Sequence, residues 1–359
     1  MFDKQAQSGI FEGGKGTGRA RHVSEVWNRL PVCRLLNHGP MLSAWVPNGK
    51  GLQKHEACGL SVPDNAIWID VVDVTKEEES FIENLLGFEI PTRDEMQEIE
   101  ASSRLYREGN ASFMTATLLI KTETESPEST AVTFILTPTR LVTLRYAEPW
   151  SFRTFSQRAG KSGIITAAQA FVTLMDTTVE RLADMLELVG LELDHVSQQV
   201  FRKAREINDI QLQRALLKIG TCGHILGKVR ESLIDKARLM TFSQQSAQDW
   251  LDAESQSRMK ALLHDVATLS DHATFMSGKI SFLLDATLGL INIEQNRIIK
   301  IFSIAAVIFL PPTLVASIYG MNFDFMPELH WKWGYPMAMM IMIGSVVTTI
   351  WVFRRRRWL

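Results

Sequence analysis

The segment Ile301–Tyr319, IFSIAAVIFLPPTLVASIY, holds no Asp, Glu, Lys or Arg, and it runs straight into YGMNFDFMPEL, which ends at Leu329. A second uncharged run, Gly334–Phe353, follows after a short interval. Each is close to the roughly 20 residues that a helix needs to cross the hydrocarbon core. Their C-terminal position excludes a signal peptide. They read as two transmembrane helices, over 297–319 (with the end of a preceding stalk) and over 334–353, joined by a loop at 320–333. Arg297 and Lys300 precede the first run, and Arg354, Arg355, Arg356 and Arg357 follow the second. An excess of Lys and Arg marks the cytoplasmic side, so both chain termini and the basic tail 354–359 are expected there. The loop then faces outward. It carries Asp324, Glu328 and a single base, Lys332, flanked by Trp331, Trp333 and Tyr335 as interfacial aromatics.

The rest of the composition mainly excludes. The chain has 38 basic and 40 acidic side chains, a formal net charge of -2, which is no footprint of a nucleic-acid binder. Cys33, Cys58 and Cys222 form no CxxC pair or metal-ligand spacing and read as reduced thiols. The segment GGKGTG, Gly13–Gly18, lacks the Ser or Thr that a phosphate loop needs after its Lys, and no strand pattern precedes it. Residues 1–40 read as a flexible extension, with Met41, at the head of MLSAWV, as the true start.

Residues 41–163 read as a cytoplasmic α/β domain. Ala66–Val72, AIWIDVV, has the β-branched apolar pattern of a strand. A helix follows, with Thr75 as N-cap, acids in its first turn, an apolar face of Phe81, Ile82, Leu85 and Leu86, and Gly87 as its stop. Asp94–Tyr106 is predicted to be a second helix. FMTATLLIK, AVTFILT and RLVTLRY are three successive strands, with turns at Gly109–Asn110 and Pro138–Thr139. No nucleophile elbow, zinc motif or paired catalytic carboxylates stand out, so an enzyme is not indicated. Over 164–296 apolar residues recur at three and four, as in Phe171, Leu174, Met175, Val179 and Leu182, which predicts long helices. His264, Asp265 and His272 fit no metal motif and read as a solvated helix face.

Alternating steps of four and three from Asp285 pick out a single helix face. It carries Asp285, Gly289, Asn292, Asn296, Ile299, Ser303, Ala306, Leu310, Thr313, Ser317 and Gly320. Nearly all are polar or small, while Leu290, Ile293, Phe302, Val307 and Phe309 occupy the other faces. In a membrane helix such a stripe faces other helices or water. Small residues let helices pack closely, which accounts for Ser303, Ala306 and Ser317. Two carboxamides one turn apart at the membrane entry fit a wet ion path better. Two helices cannot enclose a pore, so a channel needs several copies, each contributing one lining helix. Asn322 then becomes a ring of carboxamide oxygens, and Gly320, without a side chain, can offer its carbonyl. A neutral oxygen ring suits Mg²⁺, which holds its water tightly and is best gripped through its shell.

These residues resemble the CorA family of magnesium channels, whose hallmark is YGMN after one transmembrane run, a second run, and a basic C-terminus. Here these are Tyr319–Asn322 and RRRRWL; the stretch Ile291–Leu329 looks like the enterobacterial type almost throughout, and the strong resemblance covers Asp285 to Leu359. The resemblance implies a homopentameric funnel in the bacterial inner membrane, with the first transmembrane helix continuing a long stalk and lining the pore. It implies passive Mg²⁺ uptake, with Co²⁺ and Ni²⁺ also admitted. Gly320, Met321 and Asn322 match the selectivity filter, and Asn296 matches an asparagine important for permeation. Asp285, Ile299, Leu310 and Thr313 match pore-facing positions, Ile299 and Leu310 in hydrophobic constrictions. Closure by Mg²⁺ bound between cytoplasmic domains is also implied, with Asp265 and Asp271 as candidate sensors. A zinc-transporting branch shares Gly-Met-Asn, but the MPEL at Met326–Leu329 resembles the magnesium branch more closely.

Overall fold

A computed structural model describes residues 42–56, 61–98, 100–202, 209–321, 326–327 and 331–356. The described chain falls into two units. The first comprises residues up to Met185 together with Lys228–Asp271, and the second comprises Leu186–Gly227 and the chain from His272.

The first unit is built on a seven-stranded sheet. Its strands are β1 (Leu42–Pro47), β2 (Leu52–Glu56), β3 (Trp68–Val72), β4 (Leu105–Glu108), β5 (Ala111–Ile120), β6 (Glu128–Leu136) and β7 (Leu141–Arg145). Their order is β2-β1-β3-β7-β6-β5-β4. All neighbours are antiparallel except β3 and β7, which run parallel with Trp68 opposite Leu141 and Val72 opposite Arg145. A parallel pair needs a long crossover. Here the crossover holds helix α1 (Lys76–Leu86), a 3₁₀ turn at Glu95–Gln97, the short helix α2 (Ala101–Arg104) and three strands. One sheet face packs Ile69, Val71, Phe113, Ile135 and Val142 against Ile82 of α1. On the other, Trp68 and Phe134 meet Phe152 and Phe155 of α3 (Trp150–Arg158) and Phe171 of α4 (Ala167–Arg202). Cover on both faces explains why β5 and β7 read as continuous apolar runs rather than alternating ones.

Helix α1 forms as its sequence predicts. The Thr75 backbone N–H donates to the Glu78 carboxylate at 2.9 Å, and the Thr75 hydroxyl oxygen accepts from the Glu78 N–H at 3.3 Å, a reciprocal capping box. Gly87 stops the helix at φ 77°, where a side chain would be strained, and its N–H donates to the Glu83 carbonyl.

The expected continuous helix over Asp94–Tyr106 is broken into the single turn Glu95–Gln97 and the four-residue α2 (Ala101–Arg104). Thr92 and Glu95 form their own reciprocal cap, but it starts only the single turn Glu95–Gln97. Leu105–Glu108 is instead an edge strand, paired with β5 from Leu105–Met114 to Glu108–Ala111. The turn at Gly109, φ 53°, folds the chain back, and the Tyr106 ring stacks on Phe113 at 4.7 Å. A cross-strand aromatic pair with Phe113 buried and Tyr106 half-buried outweighs a local helical pattern that has no face to bury. β2 was not anticipated from sequence either. It pairs antiparallel with β1 and forms the opposite edge of the sheet.

Three ionisable side chains, Asp70, Arg145 and Lys236, are buried in this unit. Arg145 grips Asp70 with two nitrogens, Nε to Oδ1 at 3.1 Å and Nη2 to Oδ2 at 2.8 Å, and also pairs with Glu148. Thr143 donates a third hydrogen bond to Asp70 at 2.7 Å. Lys236, on α5 (Asp209–Ser246), is fully buried and donates from Nζ to the Thr117 carbonyl at 2.6 Å.

The second unit is helical. Val189, Leu193, Val196 and Val200 of α4 are buried at helical spacing, as are Leu212, Ala215, Ile219 and Cys222 of α5. Phe201 stacks on Phe282 at 5.8 Å, and Lys279 donates to Asp194 at 2.6 Å. Helix α6 (Ala253–Tyr319) has 67 residues and carries the first apolar run without a break, Pro311 and Pro312 included. Helix α7 (Gly334–Arg355) carries the second. Both are long and apolar enough to cross a membrane.

Candidate functional site

The candidate site is one face of α6 and the residues that end it. Asp285, Asn292, Asn296, Ile299, Leu310 and Thr313 all lie on this one continuous helix, and all are exposed in the single chain. Ile299 is 61% and Leu310 66% exposed, high values for large apolar groups. Gly320 and Met321 follow the helix end and are also exposed. Asn322, Asp324 and Glu328 fall outside the described residues, so the third filter residue and both loop acids have no described position.

What the chain shields is as informative as what it leaves open. Along the first apolar run the half-buried positions are Ile304, Ala305, Ile308, Pro311, Pro312, Val315 and Tyr319. They form one face of the helix. At 100° per residue its centre lies about 180° from the Ser303–Ala306–Leu310–Thr313–Ser317 stripe. In α7 the shielded positions Ala338, Met342, Ser345 and Thr349 also follow a helical period. The chain's own packing therefore uses the face opposite the polar stripe and leaves the stripe unpartnered.

The polar groups on the open face are set up as acceptors. Ser303 donates its hydroxyl proton to the Ile299 carbonyl at 2.8 Å, and Thr313 donates to the Phe309 carbonyl at 2.7 Å. With each proton held by the helix itself, the remaining lone pairs are free for an outside donor or a cation. Among the described residues neither Asn292 nor Asn296 has a hydrogen-bond partner in the chain, so both carboxamide oxygens are free. The two prolines remove the N–H partners of the Val307 and Ile308 carbonyls, a loss tolerated inside membranes where neighbouring groups supply substitutes. Gly320 matters for space: a Cβ there would lie 3.0 Å from the Ala316 carbonyl oxygen, to which the Gly320 N–H already donates at 2.9 Å.

The other candidates stay apart. Asp265 and Asp271 are exposed on α6, and His272 lies against the Phe275 ring. Among the described residues no group of three or more His, Cys, Asp or Glu side chains is placed to hold a metal ion. Cys222 is buried, and burial pushes its thiol up. Sequence reading missed a polar cleft of about 620 Å³ in the first unit, lined in part by Arg93, Arg104, Thr117 and Tyr146. The Arg93 guanidinium sits over the Tyr146 ring at 4.9 Å. It also missed Lys236, whose burial lowers its pKa to about 7 against the pull of Asp235. No local pattern announces either, because each depends on strands and helices far apart in sequence.

Comparison with known proteins shows the family and the fold. The family model described as CorA-like Mg²⁺ transporter protein matches residues 63–355. The magnesium transport protein CorA of Escherichia coli (strain K12) is 34% identical over 321 residues, covering 89% of this chain and all of that protein. The complete structure of the CorA magnesium transporter from Methanocaldococcus jannaschii superposes with a TM-score of 0.66 at 17% identity, covering 89% of this chain and 99% of that one. The cytoplasmic domain of ZntB from Vibrio parahaemolyticus gives a TM-score of 0.55 at 11% identity, covering 72% of this chain and 99% of that one. At those identities the two structural likenesses speak for the fold alone.

Proposed function

Because the chain belongs to the family of CorA-like Mg²⁺ transporters, we propose that it is a Mg²⁺ uptake channel whose pore is lined by the open face of α6. The observation that carries this reading is the opposition of faces on α6: one shielded within the chain, the other polar, acceptor-rich and free. Several copies, five by family likeness, place their stripes around a common axis. Asn292 and Asn296 then form carboxamide rings at the inner entry. Ile299 and Leu310 form apolar constrictions, and Thr313 forms a hydroxyl ring between Leu310 and the outer end. Gly320, Met321 and Asn322 form the outer filter. Its neutral oxygens hold the hydrated ion through its water, which favours entry without tight capture.

Transport is passive in this reading. A membrane potential of 100 mV favours entry of a divalent cation by about 4.6 kcal/mol, from about 2.3 kcal/mol per charge. Ions of similar size and hydration, Co²⁺ and Ni²⁺, pass the same rings. The protein sits in a bacterial inner membrane with both termini in the cytoplasm, as the bases at the outer ends of the spans favour. Mg²⁺ bound between cytoplasmic domains closes the channel.

The test is Mg²⁺ influx into liposomes carrying the purified full chain under a set potential, wild type beside Asn322→Ala. Potential-driven influx that is lost in an assembled Asn322→Ala variant supports the filter. Wild-type rates in that variant remove it. The Gly-Met-Asn shared with a zinc-transporting branch brings in a second reading, a Zn²⁺ transporter of the same fold coupled to protons. Zn²⁺ influx that follows an imposed pH gradient, with no Mg²⁺ influx, selects it. A membrane-tethered sensor or enzyme, the remaining alternative, predicts that neither Asn322→Ala nor Asn296→Ala changes function.

A further inference from the structure

We propose that the basic end of the two spans is a binding site for anionic phospholipid headgroups. The two ends of the span pair differ in kind. At the Gly320–Trp333 end, Trp331, Trp333 and Tyr335 are exposed, and Lys332 is the single base. At the opposite end the described residues Arg297, Lys300, Arg354, Arg355 and Arg356 are all exposed. One carboxylate answers them, Glu294, which accepts from Arg297 at 2.5 Å. Among the described residues, Lys300, Arg354 and Arg356 have no ion-pair partner.

Depth anchoring alone does not require this arrangement. Aromatic side chains hold a span at the interface, and the loop end manages with them and one base. The basic end has its own interfacial aromatic, Trp351, 58% exposed, and the Arg355 guanidinium lies 5.3 Å from the centre of its ring. The pair follows the helical four-residue spacing, so ring and cation share one face of α7. A ring at headgroup depth holds its guanidinium at the level of the phosphates, where the planar donor fork can bind phosphate oxygens in bidentate fashion. Unpaired cations beside an apolar belt are matched by a surface of fixed negative charge, and basic clusters just beyond a span recognise anionic lipid on this principle. The inference rests on the two spans lying in a bilayer, and it is independent of which ion crosses.

The experiment uses the full chain reconstituted in phosphatidylcholine vesicles doped with spin-labelled phosphatidylglycerol or spin-labelled phosphatidylcholine. Electron paramagnetic resonance reads the fraction of each probe immobilised at the protein. The expected wild-type result is preferential association of phosphatidylglycerol, on the order of fivefold at low salt and falling as salt screens the contact. R354Q/R355Q/R356Q is expected to bring the ratio close to parity, while R354K/R355K/R356K retains most of it. Parity in the wild type, or an unchanged ratio in the glutamine variant, overturns the proposal and leaves the arginines as a topology signal only. A glutamine variant that inserts poorly reveals itself by fewer immobilised phosphatidylcholine probes. The single variants R354Q and R356Q then decide: a lowered ratio in each supports the site, and an unchanged ratio in both removes it. No ion flux enters the readout, so the channel reading can fail while this one stands.

Discussion

The sheet unit and the two spans treat large apolar side chains in opposite ways. In the sheet unit Trp68, Phe113, Phe134 and Phe152 are completely buried. In the spans Phe302, Phe309 and Leu310 are each about two-thirds exposed or more. The sheet unit closes on itself, so its residues are explained by contacts within one chain. The spans are characterised by what the chain leaves open, an apolar surface and a polar stripe, and the proposed pore gives that stripe its purpose. Burial measured in one chain is therefore a guide to stability in the first case and a guide to function in the second.

The sharpest break of this contrast is a large-to-small change in each region. Trp68→Ala is expected to cost the sheet unit about 3–5 kcal/mol. It removes the stacking on Trp45, the edge contact with Phe155 and the hydrogen bond to Thr143. Thermal or urea unfolding of the full chain, followed by far-ultraviolet circular dichroism, reads it. A cost under about 1 kcal/mol, the range of an exposed site, would show that the unit does not depend on this core.

Asp70→Asn follows closely, at about 3–4 kcal/mol, because it leaves the Arg145 guanidinium buried without its bidentate partner. Removing both charges, as Asp70→Asn with Arg145→Met, should recover part of the loss in the same unfolding assay. A double variant no more stable than the single one would count against this account of the pair.

Lys236 supplies a pH signature. Its folded pKa is lowered to about 7 from 10.5, so between these values the unfolded chain binds a proton that the folded chain does not. Stability from this group therefore rises with pH through that window, by up to about 1.4 kcal/mol per pH unit. Below pH 7 the lysine is charged in both states and contributes no slope. Lys236→Met should flatten the rise, and an unfolding midpoint with the same pH dependence in variant and wild type would refute it.

Thr75→Ala, which breaks the capping box of α1, should cost about 1 kcal/mol. Leu310→Ala gives the smallest effect on stability, under about 0.5 kcal/mol in unfolding of the sheet unit, because Leu310 belongs to the other unit and is itself 66% exposed. If the proposed pore is right, its consequence is basal ion leak, because Leu310 is proposed to form an apolar constriction. A Leu310→Ala chain that loses sheet stability but conducts normally would invert the comparison.

Legibility in the sequence follows the range of the forces involved. The Thr75 N-cap of α1, its Gly87 stop and the Gly109 turn are settled within a few residues, and all three were readable. The two spans and the polar stripe were readable for a related reason. A helix converts spacing directly into a face, and the membrane demands an uncharged run that no other context requires. The Asp94–Tyr106 segment was misread because its fate depends on Phe113 and Met114, which sit across a turn in the partner strand. β2, a short polar edge strand, has no periodic signal of its own. The buried lysine and the Asp70–Arg145 pair look in sequence like ordinary surface charges, and only the strands and helices packed around them make them otherwise.

The sequence alone was enough to show two C-terminal runs long and apolar enough to cross a membrane, with a polar stripe on the first and Gly-Met-Asn at its end. Those features are local and periodic, and a helix preserves them whatever surrounds it. Only the tertiary structure decided that Leu105–Glu108 would be a strand, and that Asp70, Arg145 and Lys236 would be buried. It alone decided that the shielded face of the first span would be the one opposite its stripe. Each of these outcomes depends on partners elsewhere in the chain, from just across the Gly109 turn for Leu105–Glu108 to more than a hundred residues away for Lys236, and such contacts have no period to read.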